Sequence, residues 1–382
     1  MKRAAEVGGT QGSTKGRLAS LDALRGFDMW FITGGSSFLV ALAWLLTGTR
    51  ETWIATQMTH VEWAGLRIYD LIFPLFLFIS GVSFPYSCAK RRESGATTGD
   101  ILRHILVRTL ILIGLGLVYS RIQLWDWPHF RVWSVIGRVG ISWGIAAALW
   151  TVFKPRTCAV ITGVTLLAWW LLLALVPSPD APAGAAPMAK GANCIATWVD
   201  SNFLTTAHRH EGGLATLAMP PLTMLGIFAG AFLRWRPGAL SGNRRTLVLL
   251  GAGAVSAALG GLIATCFGSL SLPIVKNVYS SSYSLVACGI AFALLAAFYW
   301  VIDVRGWVKW SLYFRVIGAN AVAVYMAHAF VPWKPIAASL LGALPKACAV
   351  PGWEALCLST GALAVSWSVF FFLYRRKIFI KV

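Results

Sequence analysis

From its amino end onward, the chain alternates long apolar runs with short breaks that are charged or rich in glycine and proline. Ten runs are long enough to cross a bilayer: 27–46, 70–87, 104–120, 132–152, 157–176, 214–233, 246–266, 283–302, 316–332 and 355–374. About 17–25 apolar residues in a helix are needed for that crossing. The pattern predicts an all-α, polytopic transmembrane helical bundle of about ten spans (ten or eleven), with residues 18–382 forming one transmembrane domain. Residues 1–17, MKRAAEVGGTQGSTKGR, are polar and mixed. They are predicted to be a disordered cytoplasmic tail ahead of an uncleaved first helix, because no cleavage site follows a short apolar core.

Composition strengthens this reading. Apolar residues make up 57% of the 382 and charged ones only 12%, whereas a soluble domain carries about a quarter charged residues. A single soluble core could not hide this much apolar chain. The net charge of +19 would by itself point towards nucleic acid, so the position of the charges decides. With the amino end inside, the turns holding Lys90, Arg91 and Arg92, then Lys154 and Arg156, then Arg234, Arg236, Arg244 and Arg245 all fall inside. So do Arg305, Lys309 and Arg315, and finally Arg375, Arg376 and Lys377. The opposite loops carry scattered single charges: Arg50, Arg67, Arg121, Lys190, Arg209, Lys276, Lys334 and Lys346. Such a bias marks a cytoplasmic face and its anionic lipid. It predicts ten spans with both termini cytoplasmic, membrane lipids as partners and no nucleic acid.

Two outer loops are long, about 177–213 and 332–353. Seven cysteines show no CxxC and no metal-ligand spacing, so no metal is expected. Cys194 and Cys348 both fall in the long outer loops, where a disulfide between them is one possibility. The sequence contains no HExxH, P-loop, GxSxG or dinucleotide fingerprint. His104 is expected near the inner face, and His129, His208 and His210 in loops.

Ionisable groups in a bilayer are costly and mark functional sites, and four places stand out. Asp22 and Arg25, three residues apart at the start of the first helix, can pair on one face. They serve either as an interfacial anchor or as a contact for an anionic ligand. His60 precedes Asp70 by ten residues, at the outer end of a helix pair. A carboxylate can hold one imidazole tautomer, so His60 can act as a general base; the alternative is an interfacial histidine bonded to water. Arg131 and Arg138, seven apart, can hold phosphate or carboxylate oxygens, or snorkel to the interface. The polar helix ends Lys276-Asn277-Val278-Tyr279-Ser280-Ser281-Ser282-Tyr283 and Asn320 to His328 suit either sugar recognition or interhelical hydrogen bonding.

Taken in order, several segments resemble the heparan-α-glucosaminide N-acetyltransferase family. These are Arg17-Leu18-Ala19-Ser20-Leu21-Asp22-Ala23-Leu24-Arg25-Gly26, His60 in an H-x-x-W-x-G context, and Asp70-Leu71-Ile72-Phe73-Pro74. Arg131 to Gly140, Glu211-Gly212-Gly213, Asp303 to Trp307 and Gly318-Ala319-Asn320-Ala321 continue the likeness across nearly the whole chain. The resemblance implies a multi-pass membrane acyltransferase of a bacterial inner membrane, for which a homodimer would be compatible with the family. It would move the acetyl group of cytosolic acetyl-CoA to the amine of a glucosamine-type sugar on the other side, as heparan sulfate is modified in the lysosome. His60 matches the family's active histidine, as general base or acetyl carrier, with Asp70 orienting it. Thr33 stands where the lysosomal enzyme has a functional Asn. Arg25, Arg108, Arg138 and Arg315 are the candidates for holding acetyl-CoA. Lys276, Asn277, Asn320, His328 and Thr33 are those for the acceptor. The rival reading is a transporter or flippase for amino sugars without acyl transfer.

Overall fold

Lipid offers no hydrogen-bond partners, so each apolar run must close its own backbone ladder as a helix. The computed structural model describes residues 18–124, 133–182, 184, 187–188, 194–203, 212–235 and 240–380. The predicted tail at 1–17, together with Arg131, His129, His208, His210 and Glu211, lies outside the described residues. The protein is an all-α polytopic bundle. Among the described residues nine helices are long and apolar enough to cross a membrane. They are α1 (Ala19–Thr47), α2 (Ile68–Glu93), α3 (Thr98–Ser120), α4 (Val135–Val152), α5 (Pro155–Leu175), α6 (Gly213–Arg234), α7 (Gly242–Thr265) and α8 (Ser281–Val304), with the last at Trp353–Arg375. A shorter apolar helix, α9 (Ala321–Phe330), precedes that last span, α10.

The ninth apolar run, expected as one span over 316–332, is broken in two. Asn320 leaves helical geometry with ψ at 35° and separates a short helix, Leu312–Ala319, from α9. Its side-chain amide is taken up by the segment after α10, donating to the Ile378 carbonyl at 3.2 Å and accepting from the Ile380 N–H at 2.8 Å. The break is therefore a tie point for the carboxyl-terminal segment.

Helices α2 and α6 form the centre, and small residues let them approach. A methyl group on Gly81 would overlap the Thr223 carbonyl, and one on Gly226 the Phe78 carbonyl. Backbone contact of this kind is how membrane helices gain dispersion energy where no hydrophobic effect acts between them. Around it Leu77, Phe78, Met219, Leu222, Tyr283 and Leu295 are fully buried. Helices α3, α5 and α7 turn Leu106, Leu110, Val160, Val164, Leu247 and Val255 outward, as lipid-facing spans should. No disulfide links Cys194 and Cys348: the first is buried with its thiol against the Met188 sulfur, the second is an exposed free thiol. The bundle is not solid. Side chains of α1 to α4 and α6 to α9 border an open cavity of about 1870 Å³.

Candidate functional site

The segment between α1 and α2 brings His60 to one end of this cavity. Asp70 sits in the single 3₁₀ turn Ile68–Leu71 that opens α2. One carboxylate oxygen accepts from the backbone N–H of Arg67 at 3.0 Å, three residues back, and more weakly from that of Val61 at 3.4 Å. An acid at this position satisfies amides that a helix start leaves unpaired. The other oxygen lies 2.8 Å from His60 Nδ1. Asp70 is fully buried, and its own carbonyl accepts from the Tyr283 hydroxyl at 2.7 Å, which ties it to α8. The Arg67 guanidinium donates to Thr59 Oγ1 at 2.6 Å and to the His60 carbonyl at 2.9 Å. The His60 ring is thus held from both sides of its backbone. With the Nδ1 proton directed at the carboxylate, Nε2 carries the free lone pair.

A second loop, before α8, closes against the first. Ala64 and Val275 form an antiparallel bridge, Gly65 donates to the Ile274 carbonyl at 2.8 Å, and the Asn277 amide donates to the Glu62 carbonyl at 3.1 Å. The loop then turns tightly, with Tyr279 at φ 50°. A bulky residue rarely adopts this left-handed geometry, and strain of this kind gathers at functional sites. The turn delivers the Lys276 ammonium 3.0 Å from His60 Nδ1, 3.3 Å from Nε2 and 3.6 Å from the Asp70 carboxylate. Lysine, histidine and aspartate therefore form one cluster, with Tyr69 beside it at 4.8 Å between ring centroids.

From this cluster the cavity runs to the opposite, basic end of the bundle. Its lining passes Arg138 and Phe73, then Arg108, and ends among Arg25, Lys90, Arg234 and Arg245. Arg138 is 2% exposed and lies over Phe73, at 5.2 Å from the ring centroid. Arg108 lies over Trp143 at 4.3 Å. Arg25 donates to Ser83 Oγ at 2.6 Å and pairs with Asp22 at 3.4 Å. Of the acids at that end, Glu93 pairs with Arg234 at 2.9 Å and Asp303 accepts from the Ser20 N–H at 3.3 Å. Beyond the His60 end, Asp200 in the short helix Ile195–Phe203 accepts from the Leu214 N–H at 2.9 Å and so caps the entry to α6. Burial pushes its carboxyl above the usual range, against the backbone N–H groups of Leu214, Gly212 and Gly213 and the charge of Arg138.

The structure thus brings together several of the residues expected from sequence. His60, Lys276, Tyr279, Arg138, Arg108, Arg25 and Asp22 line the cavity, and Asp70 backs His60. Five others do not line it. Thr33 is buried in a π turn, Phe31–Gly35, and its hydroxyl is spent on the Trp30 carbonyl at 3.2 Å. His328 packs beside it, with one ring nitrogen 3.0 Å from the Thr33 carbonyl and the other 3.0 Å from that of Val324. Asn320 is taken by the carboxyl-terminal segment, and Asn277 holds the two outer loops together. Arg315 lies on the short helix whose Gly318 and Ala319, rather than the arginine, border the cavity. Lys90, Arg234 and Arg245 were not anticipated as site residues; their turns carried meaning in the sequence only as markers of the basic face. Tyr283 reads in the sequence as part of the polar helix end Lys276 to Tyr283, suited to sugar contact or interhelical bonding; its hydroxyl is given to the Asp70 carbonyl.

A polar, charged cavity inside a bundle of membrane-crossing helices defines a polytopic membrane protein with an internal polar cavity. The comparison with known proteins sharpens this. Over 425 aligned residues, 96% of the chain, it is 26% identical to heparan-alpha-glucosaminide N-acetyltransferase of Homo sapiens. It is 25% identical over 84% of its length to the protein of the same name from Mus musculus. The chain is thus similar over most of its length to two heparan-alpha-glucosaminide N-acetyltransferases, in line with the resemblance of its motifs from Arg17 onward. The matches span 60% and 54% of the two mammalian proteins, so the chain corresponds to little more than half their length. No protein-family model matches it.

Proposed function

We propose that the protein is a membrane acetyltransferase, which passes the acetyl group of acetyl-CoA to the amine of a glucosamine-type sugar. One observation carries the reading: the His60–Asp70–Lys276 cluster stands at one end of a cavity whose other end is lined by Arg25, Lys90, Arg234 and Arg245. The acceptor class is carried over from the human and mouse relatives.

The residues suit such a donor. A long cavity that is basic at one end matches a molecule with phosphates at one end and a thioester at the other. Guanidinium and ammonium groups bind phosphate oxygens, and the apolar middle, with Phe73, Phe76 and Leu112, accommodates a slender arm. By the positive-inside rule the basic end faces the cytosol, in this reading that of a bacterial inner membrane, with both termini on the same side. Cytosolic acetyl-CoA then enters from below, its carbonyl reaching Arg138 and His60. The sugar meets His60 from the opposite face, where half of the imidazole side chain is exposed. His60 Nε2 either takes the proton of the attacking amine or carries the acetyl group itself. Asp70 fixes the tautomer in both cases.

The test is release of free coenzyme A thiol by purified protein in nanodiscs, given acetyl-CoA and glucosamine acceptors. Wild-type protein is expected to release it and His60→Ala not to. If no acceptor elicits thiol release, and proteoliposomes take up glucosamine equally well with His60→Ala, the protein is a carrier and the proposal fails.

A further inference from the structure

We propose that Lys276 is a catalytic residue: its ammonium donates the hydrogen bond that holds the acetyl carbonyl oxygen as that oxygen becomes negative. The inference rests on the acetyl-transfer reading above and gives Lys276 a chemical part in it, beyond contact with an acceptor.

Three observations carry it. The first is position. Asp70 holds the Nδ1 proton of His60, so the reacting atom is Nε2. The Lys276 ammonium lies 3.0 Å from Nδ1 and 3.3 Å from Nε2, which places it over the ring beside both nitrogens and leaves the in-plane Nε2 lone pair open. A carbonyl carbon brought to Nε2 sets its oxygen within reach of an ammonium hydrogen. A donor acts best when it is aimed at the developing oxyanion before reaction.

The second is rigidity. Lys276 is buried, and its loop is fixed by the Ala64–Val275 bridge, by the Ser280 hydroxyl donating to the Pro273 carbonyl at 2.9 Å, and by Trp169 donating to the Val278 carbonyl at 3.1 Å. Trp169 belongs to α5, so three elements position one amine. A donor held in this way loses little reorganisation energy at the moment of reaction.

The third is charge. The Asp70 carboxylate at 3.6 Å favours the protonated amine. An ammonium has no lone pair, so it can polarise the carbonyl without competing with the sugar amine for the acetyl group.

The step balances in both versions of the mechanism. With His60 as carrier, the Nε2 lone pair forms a bond to the carbonyl carbon and the C=O π pair moves to oxygen, bonded by Lys276. Collapse breaks the C–S bond, and coenzyme A leaves as thiolate and takes a proton from water. The neutral sugar amine then attacks the acetyl-imidazolium, and the oxygen returns to Lys276. The C–Nε2 bond breaks, and the surplus amine proton goes to water. With His60 as base, Nε2 takes the amine proton while the amine nitrogen attacks the thioester directly and the same donor holds the oxygen; collapse then breaks the C–S bond, and the coenzyme A thiolate takes the proton back from Nε2.

The test compares K276M and K276R with wild type in nanodiscs, measuring kcat, KM for acetyl-CoA, coenzyme A affinity and thermal midpoint. K276M is expected to lower kcat about 10²–10³-fold, the usual cost of one oxyanion donor, with KM and coenzyme A affinity within about threefold. K276R, which keeps a charged donor, is expected to recover a substantial part of kcat. The proposal is overturned if K276M keeps kcat within about threefold of wild type, if its loss falls on KM, or if folded K276R is no faster than K276M. K276L carries the same test should K276M not fold. Wild-type protein that releases no coenzyme A overturns the acetyl-transfer reading itself; active wild type matched by K276M overturns only the part given to Lys276.

Discussion

Two histidines, His60 and His328, each lie near a helix end with polar neighbours, and from sequence both were site candidates. The structure gives them opposite surroundings. The His60 side chain is 51% exposed, with a carboxylate on one ring nitrogen and an ammonium reaching both. His328 has each ring nitrogen 3.0 Å from a backbone carbonyl, and packs on Trp333 at 5.6 Å between ring centroids. What separates them is room: beside His60 there is space for a reacting atom, and beside His328 the Thr33 carbonyl already fills it. A histidine becomes a reagent where the fold leaves one nitrogen facing a cavity, and becomes internal bracing where it leaves none.

The comparison breaks most directly by exchanging roles. His60→Ala is expected to lower the rate of coenzyme A release by about 10²–10⁴-fold, the usual worth of a positioned acid–base group, with the thermal midpoint nearly unchanged. His328→Ala is expected to do the reverse, keeping kcat within a few-fold while costing on the order of 1–3 kcal/mol through unpaired buried groups. Equal kinetic losses at the two sites, measured in one thiol-release assay, would remove the distinction. Asp70→Asn sharpens it next. An amide can present its N–H to Nδ1 and favour the wrong tautomer, so kcat is expected to fall steeply, while an analogous change near His328 has no carboxylate to remove. An unaltered kcat in Asp70→Asn would show that the tautomer is set by something else.

A smaller effect belongs to the basic end. Lys90→Ala, Arg234→Ala and Arg245→Ala are each expected to raise KM for acetyl-CoA by about tenfold or less, the worth of one charge-assisted contact, and to leave kcat alone. The rise should shrink with added salt. Loss of kcat without change in KM would place these groups outside donor binding.

The smallest effect is on stability. Because burial raises the Asp200 carboxyl in the folded protein, the folded state binds its proton more readily than the unfolded chain does. The stabilisation is fully present below the ordinary carboxylate range and is lost as pH rises through the raised value. Thermal midpoints of wild type should therefore decline over that window and those of Asp200→Asn stay flatter; identical profiles would contradict the assignment.

Much of the bundle was legible because a hydrocarbon solvent imposes a coarse rule. Runs such as 70–87 and 283–302 had to become helices, and they did, as parts of α2 and α8. The run at 316–332 hid its break, since Asn320 sits among helix formers and its reason for leaving the helix is the segment at Ile378 and Ile380. The same limit applies at the site. His60 and Asp70 are ten positions apart in the chain, so their pairing could be anticipated. Lys276 was selected for its polar neighbours, yet its approach to His60 depends on a bridge between loops that no local pattern announces. Thr33 reads as a ligand group because it stands where the resembled family has a functional Asn, and Asn277 because amides suit sugars; both donate to backbone carbonyls. Side-chain type tells what a residue can bond, and only the folded backbone tells whether that bond is already made.

The bridge between Ala64 and Val275 also bears on how the protein is made. His60 and Lys276 are 216 positions apart, and the helices α2 to α7 are synthesised between them. A ribosome that has delivered the first seven helices has already set His60 and Asp70 at the membrane surface, without the amine that completes the cluster. The assembled trio exists only after the eighth helix has joined the bundle. A nascent chain therefore cannot carry the finished site, however early its histidine emerges, and a truncated product ending before α8 would be missing that part from birth.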